Sequence, residues 1–291
     1  MTIRLIQVPY DSGHRAKRMG AGPLHLVARG AAGALRRVGE GADLRVIRIE
    51  SAVAFPTEIG TAFELHRAVA DAVASAVREG ALAFVLSGNC NSSIGTVAGL
   101  QAAAPDEPVG VVWFDGHGDC NTPETFTGDF LDAMGLSTLT GRCWQALTQT
   151  LPHFSPVPDE HVALIGGHGM DAGAKSVLDG SGITNVSADT VQARGAEAAL
   201  GPVLDRWREK GIQRVYVHLD VDVLDAKRVG PANEFAPTDG GLAVSDMLSV
   251  VDLIATSSRI MAASVASYDP SFDREDQVLT AALEFMRHIA S

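Results

Sequence analysis

Asp115, His117 and Asp119 stand at alternate positions just after the apolar run Val109-Gly110-Val111-Val112-Trp113-Phe114. Far along the chain, Asp220 and Asp222 follow a second such run, Arg214-Val215-Tyr216-Val217-His218-Leu219. Alternate residues on an extended chain point to the same side. Each run can therefore aim two or three ligands past the carboxyl end of a strand, where open α/β folds keep their sites. Four carboxylates and an imidazole converging there repel one another unless cations lie between them. A lone Asp after a strand reads as a helix cap or a turn residue. The second cluster, Asp220-Val221-Asp222-Val223-Leu224-Asp225, is hard to explain by caps alone. The pair of clusters predicts a metal centre, with two ions.

Strand-like runs alternate with helical patterns along the chain. Expected strands are 3–8, 44–49, 82–86, 109–114, 161–165, 183–186, 214–219 and 260–266. Several lack apolar/polar alternation, as strands covered on both faces do. Expected helices are 22–38, 64–79, 92–103, 193–210, 244–255 and 277–289. This rhythm predicts an α/β fold with a mostly parallel sheet between helix layers. The chain has 291 residues, 46% of them apolar, enough for a substantial core. The two acidic clusters belong to different βα units, so one continuous domain over residues 1–291 is the simpler expectation. Loops 119–128 and 227–241 follow the acidic strands and are the natural walls of a site.

The formal net charge of −12 disfavours a nucleic-acid surface. No apolar stretch is long enough to span a bilayer and no secretory signal opens the chain, so the expectation is a cytoplasmic protein without a membrane partner. Three cysteines, Cys90, Cys120 and Cys143, make no disulfide framework.

At its acidic clusters the sequence resembles the ureohydrolase (arginase and agmatinase) family. The specific matches are Trp113-Phe114-Asp115-Gly116-His117-Gly118-Asp119, His218-Leu219-Asp220-Val221-Asp222 and Pro237-Thr238-Asp239-Gly240-Gly241-Leu242. Weaker ones run from Arg18-Met19-Gly20-Ala21-Gly22-Pro23 to Tyr268-Asp269-Pro270-Ser271-Phe272-Asp273. The resemblance implies a three-layer α/β/α sandwich with about eight parallel strands. It also implies a two-manganese centre and hydrolysis of a guanidino or formimino C–N bond by a hydroxide shared between the ions. Carried over position by position, it makes Asp115 and Asp220 bridging carboxylates. Asp119 binds the first ion and orients the hydroxide, and His117 and Asp222 complete the second. A homo-oligomer is expected on the same ground.

Three positions depart from the family pattern. Cys90, in Ser87-Gly88-Asn89-Cys90-Asn91, stands where the family has a ligand His. It is either a small buried apolar residue or a thiolate ligand, and a thiolate shifts preference from Mn²⁺ toward Zn²⁺, Fe²⁺ or Co²⁺. The family also includes members with this Cys-for-His pattern, some linked to hydroxylated guanidines. Asp132 stands where arginases have a proton-shuttling His, and reads as a proton carrier or as a loop residue. Ser267 stands where the family has a Glu that grips the guanidinium, a contact a hydroxyl cannot supply. Glu234, in an apparent insertion, is a candidate replacement. Asn121 and Asp171 match residues that contact the α-carboxylate and α-amino groups, so an amino-acid-like guanidino or amidino substrate is expected. A turn residue is the plainer reading of Asp171.

Two other functions fit the same residues. A single-zinc, deacetylase-like amide hydrolase would use Asp115, His117 and Asp220 or Asp222. A catalytically retired homologue would bind metal or an amino acid without turnover.

Overall fold

The computed structural model describes residues 2–36, 43–52, 57–126, 128 and 130–291. Eight parallel strands form the sheet: β1 (Ile3–Val8), β2 (Leu44–Arg48), β3 (Leu82–Ser87), β4 (Val109–Asp115), β5 (Val162–Gly166), β6 (Thr184–Ser187), β7 (Arg214–Asp220) and β8 (Arg259–Ala266). Their spatial order is β2-β1-β3-β8-β7-β4-β5-β6. Strands from both ends of the chain thus meet in the middle of one sheet. The eight-strand parallel expectation holds, and each strand lies within a residue or two of its expected place.

The unbroken apolar runs follow from cover on both faces. Along β7, Val215, Val217 and Leu219 pack into one core while Tyr216 packs into the other. Along β4, Val112 and Phe114 take the first face, and Val111 and Trp113 the second. Helices α1 (Gly22–Ala28), α5 (Ala188–Glu209), α6 (Val244–Ser257) and α7 (Gln277–Ala290) cover the first face. Helices α2 (Glu58–Arg78), α3 (Ser93–Ala103) and α4 (Ala172–Asp179) cover the second. The result is the expected three-layer sandwich.

Helix ends account for the main differences from expectation. The helix expected at 22–38 is two short pieces, Gly22–Ala28 and Ala31–Ala34, parted by Gly30 at φ 114°; Val38 lies outside the described residues. α2 begins six residues before its expected start. Gly60 reads as a helix breaker in sequence, yet its N–H donates to the Thr57 hydroxyl at 3.1 Å and so completes the cap. α5 starts at the Ser187 cap, and its regular path is broken at Gly195 (φ 76°), which hides its first turns from a periodicity reading. α4 was not expected at all; Asp171 caps it, its side chain accepting from Ala174 N–H at 2.8 Å.

The loop after β3 is pressed against the first loop of the chain. A Cβ at Gly88 would lie 2.2 Å from the Tyr10 carbonyl oxygen and 2.8 Å from Gly20. The Gly88→Ala variant is therefore expected to lose about 2 kcal/mol of stability or more, by forced backbone movement. A denaturant midpoint equal to that of the unsubstituted chain would refute this close packing.

Candidate metal centre

The four middle strands β3, β8, β7 and β4 deliver the site. Cys90 follows β3, Ser267 follows β8, Asp220 ends β7 and Asp115 ends β4. Strand alternation does not align the ligands as the sequence suggested. β4 stops at Asp115, and the chain then turns through Gly118 (φ 80°) and Asp119 (φ 48°). β7 stops at Asp220, and Val221–Val223 is a tight helical turn. The candidate ligand side chains converge because short turns re-aim the chain, one of them left-handed at a non-glycine residue, a conformation that the surroundings must hold.

Hydrogen bonds fix each carboxylate. Asp115 accepts from Trp113 Nε1 at 2.8 Å and from His117 N–H at 2.6 Å. Asp222 accepts from Gly116 N–H at 3.0 Å and lies 3.1 Å from His117 Nδ1. Asp220 accepts from Asp222 N–H at 2.8 Å and from the Cys90 thiol at 2.9 Å. Cys90 Sγ also meets Ser267 Oγ at 3.2 Å. Beneath the site, His218 stacks on Trp113 with centroids 3.9 Å apart, and its Nδ1 lies 2.8 Å from Ser264 Oγ. Burial lowers its pKa to about 3, so it stays neutral. It packs below the ligands, as the sequence suggested.

Two groups of side chains have ligand atoms all within 4.8 Å of one another: Asp115, His117 and Asp222, and Cys90, Asp119 and Asp132. Asp220 touches both, through Asp222 on one side and Cys90 on the other. The electrostatics fit cations. Asp119 Oδ2 is buried and has no hydrogen-bond partner, a costly arrangement for a lone carboxylate oxygen. Burial, with Asp115, Asp132, Asp220 and Asp222 nearby, pushes the Asp119 carboxyl well above its usual range. Burial and Asp222 raise Asp115 to about 6. Burial pulls the His117 imidazole down, but Asp222, Asp115 and Asp220 outweigh it and hold it at about 10. Burial and then Asp220 raise the Cys90 thiol. Divalent ions would relieve all these groups together, and oxygen, imidazole and sulfur donors suit first-row metals.

The other expected residues are placed as follows. Asp132 is buried, and its carboxylate accepts from Cys90 N–H at 3.0 Å, Asn91 N–H at 2.8 Å and the Asn89 amide at 3.0 Å. It is no solvated loop residue: it anchors the turn that presents Cys90. Burial raises it to about 7. Asn121 Nδ2 donates to Asp171 Oδ2 at 2.9 Å, and both line the cavity. Glu234 does not line it; this half-exposed carboxylate lies 3.7 Å from Arg18. Ser267 lines the cavity with φ 63°. The cavity measures about 240 Å³. Met19, Phe126, Phe130, Asn233 and Phe235 also line it. The three phenylalanines could not be placed there from sequence, because loop aromatics carry no spacing signal.

A family model described as the arginase family matches residues 1–291. The chain belongs to the arginase family. Its relatives include the arginase of Bacillus caldovelox, 29% identical over 98% of this chain and 96% of that protein. The solved structure of that arginase aligns with a TM-score of 0.87 at 27% identity, covering 100% of this chain and 98% of the other. The arginase of Entamoeba histolytica, solved in complex with L-ornithine, shares the fold at a TM-score of 0.84 and 20% identity, covering 100% and 98%. Formimidoylglutamase of Bacillus subtilis shares it at 0.78 and 16%, covering 99% and 86%. Members of the arginase family are hydrolases of C–N bonds in linear amidines, and this chain is such a hydrolase.

Raised carboxyl pKa values have a defined linkage sign. The folded, metal-free chain keeps protons on Asp115 and Asp132 that the unfolded chain releases near pH 4, so their contribution is complete below about pH 4 and is lost as pH rises through about 6 to 7. The melting temperature of the chelator-treated protein should fall between about pH 5 and pH 8, and a divalent cation should raise it most at the upper end. A melting curve indifferent to both chelator and cation would count against the centre.

Proposed function

We propose that this chain hydrolyses a small guanidino or amidino substrate with two divalent ions, held by Cys90 and Asp119 on one side, Asp115, His117 and Asp222 on the other, and Asp220 between. The observation that carries the reading is the unpartnered, buried Asp119 Oδ2 among four other carboxylates. When bound, the ions would polarise the amidine and make water acidic enough to attack at neutral pH. Manganese suits the oxygen-rich set, and Cys90 leaves room for iron, cobalt or zinc.

The chain's own groups supply the rest. Asp119, which lines the cavity, would accept a hydrogen bond from the attacking water and so orient it. Asp132, raised to about 7, is suited to carry a proton to the leaving nitrogen as the C–N bond breaks. His117 and Asp222 hold each other in place at 3.1 Å. Ser267 Oγ offers a neutral contact where a guanidinium would prefer a carboxylate.

A one-ion, deacetylase-like site would need the Asp115, His117 and Asp222 set alone. The second group beside it supports two ions, and metal stoichiometry separates the readings. The Asp220→Asn variant should bind less metal and lose turnover of a guanidine panel by about a thousandfold or more, given the several kcal/mol that metal ligands contribute. Full activity in that variant, with unchanged metal content by mass spectrometry, would sink the assignment.

A further inference from the structure

A buried acid behind the candidate centre has no part in the chemistry above. Asp11, in the first loop of the chain, is fully buried. Its Oδ1 accepts from the Asn89 side-chain amide at 3.3 Å and from the Ser12 hydroxyl at 3.0 Å. The same Asn89 nitrogen donates to Asp132 Oδ2 at 3.0 Å, so one amide is shared by two buried carboxyl groups. The Asn89 side-chain oxygen accepts from Ser12 N–H at 2.8 Å, which fixes the amide from its other end. A buried carboxylate is costly unless a cation pairs with it, and a shared neutral amide is no substitute.

Arg18 supplies that cation to Asp11. Its Nη2 donates to Oδ1 at 3.2 Å, and its Nε lies 3.0 Å from Oδ2. Oδ2 makes no hydrogen bond, so this ion-pair contact is what faces it. Arg18 also lies 3.7 Å from Glu234, but both groups are half-exposed there and water screens the pair. The loop that carries the pair is held in an unfavourable shape, with Ser12 at φ 47°, Ala16 at φ 55° and Arg18 at φ 45°. Non-glycine residues keep such a left-handed backbone only where the surroundings impose it. Without Arg18, the unpaired Asp11 would draw the Asn89 amide to itself and away from Asp132.

We propose that Arg18 is a positioning residue for the hydrolysis: by pairing with Asp11 it leaves the Asn89 amide to hold Asp132, and with Asp132 the turn that presents Cys90. Arg18 does not line the cavity, so its effect passes through Asp11 and Asn89. The catalytic consequence rests on the hydrolase reading above. The test compares the Arg18→Met and Asp11→Asn/Arg18→Met variants with the unsubstituted chain, each supplied with Mn²⁺. The first readout is urea release from arginine, agmatine and 4-guanidinobutyrate. The second is hydrogen exchange at the Cys90 and Asn91 amides, both of which donate to Asp132. In Arg18→Met, kcat should fall about tenfold or more with KM within about twofold, since misplacing a reacting group costs turnover rather than binding. The two amides should exchange about tenfold faster, while those of α6, on the far face of the sheet, should not change. The double variant removes the stranded charge and keeps an oxygen for Asn89, so it should recover both readouts to within about threefold. Unchanged kcat and exchange in Arg18→Met, or a double variant no better than the single one, overturns the proposal. If Arg18→Met does not fold, Arg18→Lys takes its place, keeping the charge but losing the fork. A loss there that Asp11→Asn fails to reverse is equally fatal. No turnover by the unsubstituted chain would count against the hydrolase reading instead, and the exchange rates would still decide the positioning.

Discussion

Mutual repulsion among buried carboxylates gathered past the ends of neighbouring strands is the constraint on which this structure turns. Asp115, Asp119, Asp132, Asp220 and Asp222 are all buried. Among the described residues, no Lys or Arg hydrogen-bonds to them, and their ion-pair partner is His117. Backbone N–H groups, the Trp113 indole and the Cys90 thiol satisfy many of the oxygens, but they offer dipoles where full charges are needed. A fold that tolerates this must gain the missing positive charge from outside the chain or hold protons there. The rest of the sheet, apolar on both faces, is what keeps water from screening the cluster.

How the ligands converge shows what the backbone contributes. A continuous strand through Asp119 would carry the chain away from the site by more than 3 Å per residue. The left-handed turn at Gly118 and Asp119 folds it back, and Asp119's carbonyl then accepts from Leu136 N–H at 3.1 Å and Ser137 N–H at 3.2 Å. The same residue thus offers its side chain to the centre and its main chain to the short helix Gly135–Leu139. Strain at one residue is offset by two hydrogen bonds that depend on it.

Much of this was legible in the sequence, for physical reasons that can be named. Strands buried on both faces leave long apolar runs, so β4 and β7 announced themselves, and charged residues at the ends of such runs have few structural uses. The mechanism of convergence was misread, because an Asp in left-handed conformation looks in sequence like any other Asp. Asp132 reads in sequence as a proton carrier or a loop residue, and nothing there foretells that the Cys90 and Asn91 amides point at it. Helix starts at Thr57 and Ser187 were obscured by Gly60 and Gly195, whose effects depend on backbone geometry that composition does not carry. The aromatic lining was invisible because loops from distant parts of the chain assemble it.

Cys90, Asp132 and Ser267, far apart in the sequence, meet in one place. Asp132 accepts from the Cys90 N–H, and the Cys90 thiol meets both Asp220 and the Ser267 hydroxyl. Changes that look independent along the chain, at positions 90, 132 and 267, therefore share one corner of the centre. A carboxylate at position 267 would sit beside a thiol already crowded by acidic neighbours, and would oppose any ionisation of that thiol. Ser267 adds no negative charge to the corner, while the Asp132 carboxylate lies on its other side, where backbone donors hold it. The chemistry of this site should follow from that redistribution of charge as a unit, since each of the three side chains sets the electrostatic cost of the others.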